Sequence, residues 1–200
     1  MLPDSVFDYT DYQNQNPNYQ PDAVALREVN RALKGSVLRQ EVYALDDSPL
    51  QNNPYTVTET NYSVRLLQPP AENKYGVYFV HERETLTYHY ERNLDDPRIQ
   101  HDFVLEITPF GNVKKASSVH YGRRSSKNPN IIVYPEQVEL KATVQLGEFI
   151  EETERFRIVG IPYEQKALEI AGLDLQGQVY FSFDRIRQQV DEALNNWSLD

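Results

Sequence analysis

The sequence predicts a mainly β fold: an antiparallel β-rich domain with an N-terminal helix and a C-terminal amphipathic helix. Residues 85–91 alternate apolar and polar side chains with the period of a half-buried strand. Two further strand-like runs flank the loop Pro109-Phe110-Gly111-Asn112, as in a β-hairpin. Towards the end of the sequence, apolar residues recur at helical spacing. Together these patterns favour a sheet with helices at its ends.

The first part of the sequence has a different character. Residues 1–21 are rich in amides, contain three prolines and show neither a strand nor a helix period, so we expect an extended or loosely ordered segment. We expect residues 22–200 to form a single β-rich domain that ends in a helix, because a chain of this length can bury a core.

An N-terminal helix is predicted over residues 23–34. Asp22 is a suitable N-cap, and Gly35 lies where a glycine at the C′ position can end a helix in the left-handed conformation. Residues 36–45 then mix branched and aromatic side chains, which favours a strand. The expected apolar stripe of the helix consists of Val24, Val29, Ala32 and Leu33.

Successive strands are predicted after this point. In residues 54–70 the parity of the apolar positions changes, so a bulge or bend is expected near Thr60 and Asn61. Residues 75–80 and 84–91 are predicted as separate strands, residues 131–149 as one or two strands, and residues 155–173 as a strand pair interrupted by proline. The predicted hairpin core consists of Phe103, Leu105, Ile107 and Val113, with Val119 and Tyr121 on the return strand and a positive φ at Gly111.

The C-terminal helix is predicted from the spacing of its apolar residues, with Ser182 or Asp184 as its cap. Its apolar positions are Ile186, Val190, Ala193, Leu194 and Trp197.

Composition limits the classes of partner. Thirty acidic against 20 basic residues give a formal net charge of −10, which repels both nucleic acid and anionic lipid. The absence of cysteine removes disulfides, thiolate metal ligands and a cysteine nucleophile. Residues 1–22 lack the basic and apolar regions of a signal peptide, and no apolar run is long enough to span a bilayer. We therefore expect a segment that contacts neither nucleic acid nor membrane.

Chemical motifs are scarce. His81, His89, His101 and His120 lack the close spacing typical of a structural metal site, and we expect them to be structural or solvated. No phosphate-binding loop, nucleophile elbow or metalloprotease motif occurs. We therefore assign no catalytic, cofactor-binding or metal-binding residue.

Two alternatives remain open. Arg124 and Ser125, followed by Glu152-Thr153-Glu154, resemble the Arg, Ser and Glu-x-Glu elements of ADP-ribosyltransferases, so an enzyme using Arg124, Ser125 and Glu154 is one alternative. Glu148, Glu151, Glu152 and Glu154 are otherwise expected to form a solvated loop or edge. The second alternative is a free-standing module that binds protein or glycan through a surface rich in tyrosine, of which the chain has 14.

Several long stretches, taken in order, resemble one family. They are "RALKGSVLRQEVYALDDSPLQNNPYTVTETNYSVRLLQP", "HERETLTYHYERNLDDPRIQHDFVLEITPFGNVKKASSVHYGRR" and "RFRIVGIPYEQKALEIAGL" with the trailing "FSF". Over roughly residues 22–183 the chain resembles the middle-to-C-terminal region of the B component of insecticidal toxin complexes, with related segments in virulence-plasmid B proteins and Rhs-associated toxins.

The resemblance implies a structural role. In that family the B component is large and noncatalytic; with the C component it forms a hollow β-sheet shell around a toxic enzyme, and it docks onto the pore-forming A component. The resemblance thus implies a scaffold segment without catalytic residues or cofactors. Its expected partners are the remainder of its own polypeptide and the C component, with the A component as a further candidate. Its expected location is a secreted or extracellular bacterial toxin assembly.

Overall fold

A computed structural model describes residues 1–70, 74–123 and 132–197. It confirms a mainly β fold with helices towards both ends. The elements in chain order are β1 Val6–Asp8, α1 Thr10–Gln15, α2 Ala23–Ala32, β2 Arg39–Val42, β3 Thr56–Gln68, β4 Val77–His89, β5 Arg98–Ile107, β6 Val113–Tyr121, α3 Pro135–Val138, β7 Lys141–Glu152, β8 Ile158–Ile170 and α4 Phe183–Trp197.

The strands form one eight-stranded sheet in the order β1-β3-β4-β5-β6-β7-β8, and β2 also pairs with β3. Pairing from β4 to β8 is antiparallel, whereas β1 runs parallel to β3. By its contacts the chain divides into two compact units: Met1–Gln40 with Glu59–Arg83, and Glu41–Thr58 with Glu84–Asp200. This division differs from the single domain that we expected over residues 22–200. The domain boundary between residues 21 and 22 stays a prediction.

The first unit orders more of the N-terminal segment than we expected. Residues 1–21 contain β1 and α1, and the backbone N–H of Leu2 donates to Glu59 at 3.0 Å. Rings of Phe7, Tyr9 and Tyr19 pack edge to face or tilted at 5.3–5.9 Å. The tyrosines of this polar stretch therefore partly cover one another, a tertiary effect that a search for strand or helix periods cannot detect.

Helix α2 begins at Ala23 as predicted but ends at Ala32, two residues before the predicted end, and Gly35 lies in the turn that follows. The Asp22 carboxylate accepts the N–H of Ala25 at 2.8 Å, as an N-cap does, and Gly35 has φ +93°. The predicted stripe was only partly correct, because Ala25 and Val29 are the buried residues while Val24 is exposed. The helix packs through a face rotated from the expected one.

Several strand predictions need correction. Burial on β3 changes parity between Asn61 and Tyr62, as expected, but β4 is one continuous strand where we predicted two. The predicted strand pair at residues 155–173 is the single strand β8, and its Pro162 lies beside a register shift. Pro162 breaks the pairing pattern without ending the strand, because a bulge accommodates the missing N–H.

The main core of the second unit lies between α4 and one face of β5, β6 and β7. Ile186 and Val190 of α4 are fully buried there, as their spacing predicted. The predicted hairpin core is only partly correct. Phe103 and Leu105 belong to the core, whereas Ile107 is half-buried outside it and Val113, which begins β6 beside the loop, is 42% exposed. The core residues are Phe103, Leu105, Val119, Ala142, Val144, Ile170, Phe181, Ile186 and Val190.

Candidate interaction site

The hairpin of β7 and β8 is the most exposed part of the sheet in the second unit. Within the described chain β8 has β7 as its only strand neighbour, so β8 forms an edge of the sheet. Residues 161–167 are all exposed, which means that both faces of this part of β8 are uncovered. An edge strand normally packs at least one face, so this hairpin offers a surface that the described residues leave open.

The base of the β7–β8 hairpin is buried under α4, whereas its outer part is not. At its base, Ala142 and Ile170 are cross-strand partners and both belong to the core under α4. Further out, Ile150 and Ile161 are partners across the same ladder, yet neither is in that core and Ile161 is 48% exposed. Tyr163 is 63% exposed. The hairpin therefore carries apolar side chains beyond the reach of the helix.

A glycine shapes the opposite strand of the hairpin. A Cβ on Gly147 would lie 3.0 Å from the carbonyl oxygen of Val113 and 3.1 Å from the Phe149 ring. The missing side chain thus lets Phe149 fold back over the ladder.

The acidic run that the sequence singled out lies on this hairpin. The Glu152 carboxylate accepts the backbone N–H groups of Glu154 at 2.7 Å and Arg155 at 3.1 Å, and these bonds lower the pKa of Glu152. Glu151 accepts the side-chain amide of Asn112 at 2.9 Å. Glu152 therefore shapes the β7–β8 turn, and Glu154 follows on that turn. Arg124 and Ser125 lie outside the described residues.

A buried polar network anchors the sheet behind the hairpin. The backbone N–H of Phe181 donates to the Tyr121 hydroxyl oxygen at 3.0 Å, and that oxygen lies 3.1 Å from Nδ1 of His101. Nε2 of His101 lies 3.5 Å from a carboxylate oxygen of Glu84, and both side chains are 1% exposed. Sequence analysis missed this cluster, because its residues are far apart in the chain and carry no motif.

The Tyr121 hydroxyl lies at the centre of this network. Burial is the main cause that raises the pKa of Tyr121, so its hydroxyl stays protonated while it accepts from Phe181 and contacts Nδ1 of His101. These polar contacts thus connect β4, β5 and β6 with the segment before α4. We interpret the cluster as structural, because it holds these elements together.

The four histidines lie on different parts of the sheet. His101 is buried in the network, whereas the Nδ1 atom of His81 contacts the neighbouring Glu82 carbonyl oxygen at 2.8 Å. His89 and His120 line an open groove of about 390 Å³ together with α3 and the ends of β5, β6 and β7. Within the described ranges no three His, Asp or Glu side chains converge as metal ligands would.

Comparison with known proteins identifies the family. A family model described as the insecticide toxin TcdB middle/C-terminal region matches residues 28–161. The chain belongs to this family. The resemblance predicted from the sequence is thereby confirmed, although the matched range is shorter than residues 22–183.

Solved structures agree with this assignment. The crystal structure of TcdB2-TccC3-Cdc42 is 33% identical with a TM-score of 0.66, and the match covers 76% of this chain and 8% of that one. TcdB2-TccC3 without its hypervariable C-terminal region gives 33% identity, a TM-score of 0.68 and the same coverage. A mutant Photorhabdus luminescens Tc holotoxin pore is 34% identical with a TM-score of 0.63, and the match covers 74% of this chain and 8% of that one. No curated protein matches the chain.

These TcdB-family relatives are much longer than the present sequence, which spans only 8% of the solved chains. None of the helices in the described ranges is long and apolar enough to cross a bilayer. The open β7–β8 hairpin is therefore a surface on what corresponds to a small segment of those chains.

Proposed function

We propose that this chain is a noncatalytic structural segment of a toxin-complex B-like protein. It contributes to the β-sheet shell that assembles with the C component and delivers an enclosed toxin. The observation that carries this proposal is the uncovered β7–β8 hairpin in a chain of the TcdB middle/C-terminal family. Apolar side chains such as Ile161 and Tyr163 become buried when neighbouring parts of a shell pack against them.

The lengths of the strands are suited to an extended β-sheet shell. β3, β4 and β8 each contain 13 residues, whereas typical strands have about 5–6. At about 3.3 Å per residue such strands extend roughly 40 Å. Since α4 covers only one face of β5–β7 in the second unit, the sheet there has the thin, long-stranded construction that a shell requires.

The partners follow from the relatives. TccC3 accompanies TcdB2 in the solved structures, and a Tc holotoxin pore also contains a matching chain. By analogy, the partners of this segment are the rest of its own polypeptide and a C component, with an A component as a further candidate. The assembly acts as a secreted or extracellular bacterial toxin.

Trans-complementation tests the proposal. The segment is co-expressed with the adjoining regions of its parent polypeptide, and a complex is sought by co-purification. A stable complex is expected, with no consumption of NAD by the segment in the presence of candidate acceptor proteins. Failure to bind the adjoining regions would contradict the scaffold role.

The same preparation tests the two alternatives. NAD consumption that is abolished by Glu154→Gln would favour the ADP-ribosyltransferase-like enzyme, and Glu136→Gln on α3 is the matched control. Specific retention on a glycan or protein array, without binding to the adjoining regions, would favour the free-standing Tyr-rich module.

A further inference from the structure

The edge of β8 consists of two unlike halves. In residues 158–163, Gly160 has φ +76° and Pro162 lies at a register shift opposite β7. Bulges and prolines are the devices by which proteins blunt a sheet edge. Residues 164–169 contain neither, and each of them has a single partner on β7, from Glu148 opposite Glu164 to Thr143 opposite Glu169.

The clean half, residues 164–169, is the β8 edge segment. Neighbouring residues of an antiparallel strand direct their backbone groups to opposite sides. Every second residue of the segment therefore points its N–H and C=O away from β7. Five of these six positions are exposed, all except the partly buried Leu168. The segment thus presents a regular row of main-chain donors and acceptors at the sheet edge.

We propose that the β8 edge segment binds an extended strand from another part of the same parent polypeptide, which continues the sheet by main-chain hydrogen bonds. This inference rests on the proposed function and locates the contact. The matched relatives' chains are far longer than this one, so most of such a polypeptide is available as the partner.

A second copy of the chain is the competing occupant. The formal net charge of −10 opposes close approach of two identical chains. The acidic run on the adjacent β7, with Glu148, Glu151 and Glu152, adds local repulsion if two hairpins meet edge to edge. The incoming strand is therefore expected to be neutral or basic, with apolar side chains on the face it shares with Leu168.

Hydrogen exchange tests the edge directly. Outward-facing amides of residues 164–169 should exchange fast in the isolated segment and about tenfold or more slower when the adjoining regions are supplied in trans. Amides of β5, in the interior of the sheet, serve as the internal control and should change little. Protection that already exists in the isolated segment and grows with its concentration would identify a second copy as the occupant and overturn the proposal.

A pair of proline variants tests the same point independently. Lys166 and Ala167 are neighbours, so one of their N–H groups bonds to β7 and the other points away from it. Lys166→Pro and Ala167→Pro therefore remove one N–H of each kind. The variant that loses the outward N–H, called the outward variant, is the one whose melting temperature falls less. That variant should bind the adjoining regions about tenfold or more weakly. Lys166→Gln, which keeps the amide and removes only an exposed ion pair with Glu164, is the matched control and should bind normally.

The two levels of inference fail in different ways. If the unaltered segment binds no adjoining region, the proposed function fails. If a complex forms while the edge amides stay unprotected and the outward proline variant binds normally, the scaffold role stands and the β8 edge proposal is wrong.

Discussion

Replacing Tyr121 by phenylalanine removes one oxygen from the centre of the buried network. The Phe181 N–H, in a residue that is 3% exposed, then loses its acceptor, and Nδ1 of His101 loses its hydroxyl partner. An unsatisfied buried donor costs about 1–3 kcal/mol and a lost neutral hydrogen bond about 1 kcal/mol, so Tyr121→Phe should destabilise the fold by about 2–4 kcal/mol. The matched control is Tyr163→Phe on the exposed hairpin, with an expected change below about 0.5 kcal/mol.

Two measurements check this value. Urea unfolding of both variants gives the difference in free energy, and hydrogen exchange reports the Phe181 amide alone. A local loss of about 2 kcal/mol corresponds to roughly 30-fold faster exchange at that amide. If Tyr121→Phe costs less than about 0.5 kcal/mol and leaves the exchange of Phe181 unchanged, the network does not anchor the segment before α4.

Four further outcomes are expected. Leu105→Ala should cost about 2–5 kcal/mol of unfolding free energy because Leu105 is 6% exposed, whereas Val113→Ala, at the exposed start of β6, should cost less than about 0.5 kcal/mol; equal losses would contradict the core assignment. Burial raises the pKa of Tyr78 to about 12 and also raises that of Tyr121, so both phenols stay neutral in the fold at pH values where the unfolded chain ionises. Their stability contribution is therefore present below about pH 10 and is lost as pH rises further; a flat stability profile from pH 9 to 11.5 would refute this. Gly122→Ala should detach the α3 segment, because the new Cβ would lie 2.0 Å from the carbonyl oxygen of the last α3 residue; limited proteolysis should then cut near α3, and an unchanged cleavage pattern would contradict that contact. A strong chelator should leave the melting temperature unchanged, and a drop reversed by one divalent metal would reveal a ligand set that the sequence does not show.

Local patterns predicted the elements whose periods are set by one buried face. The β5–β6 hairpin and α4 are examples: Phe103 and Leu105 alternate into the core, and Ile186 and Val190 repeat at helical spacing. Gly111 has φ +90° as the loop requires. Each of these signals arises within a few residues, so no knowledge of the remaining chain was needed.

Features that depend on distant contacts were not predictable in this way. Residues 1–21 carry no period, yet Ser5 accepts the backbone N–H of Tyr62 at 3.0 Å and the strand β1 forms beside β3. The His101 network joins strands whose order in the sheet cannot be read from the sequence. The position of β8 at an edge of the described sheet cannot be read from the sequence either, because edge position is a property of the whole sheet.

The position of α4 after every strand of the sheet has a consequence for synthesis of the protein. Phe103 and Val119 appear early on the ribosome, but Ile186 and Val190, which seal the same core, emerge last among the described elements. Until they do, the apolar face of β5–β7 has no cover, and long-range closure is the slow step in folding such topologies. A nascent chain stalled before residue 183 would therefore expose that face to chaperones or to aggregation, and the later emergence of α4 would cover it.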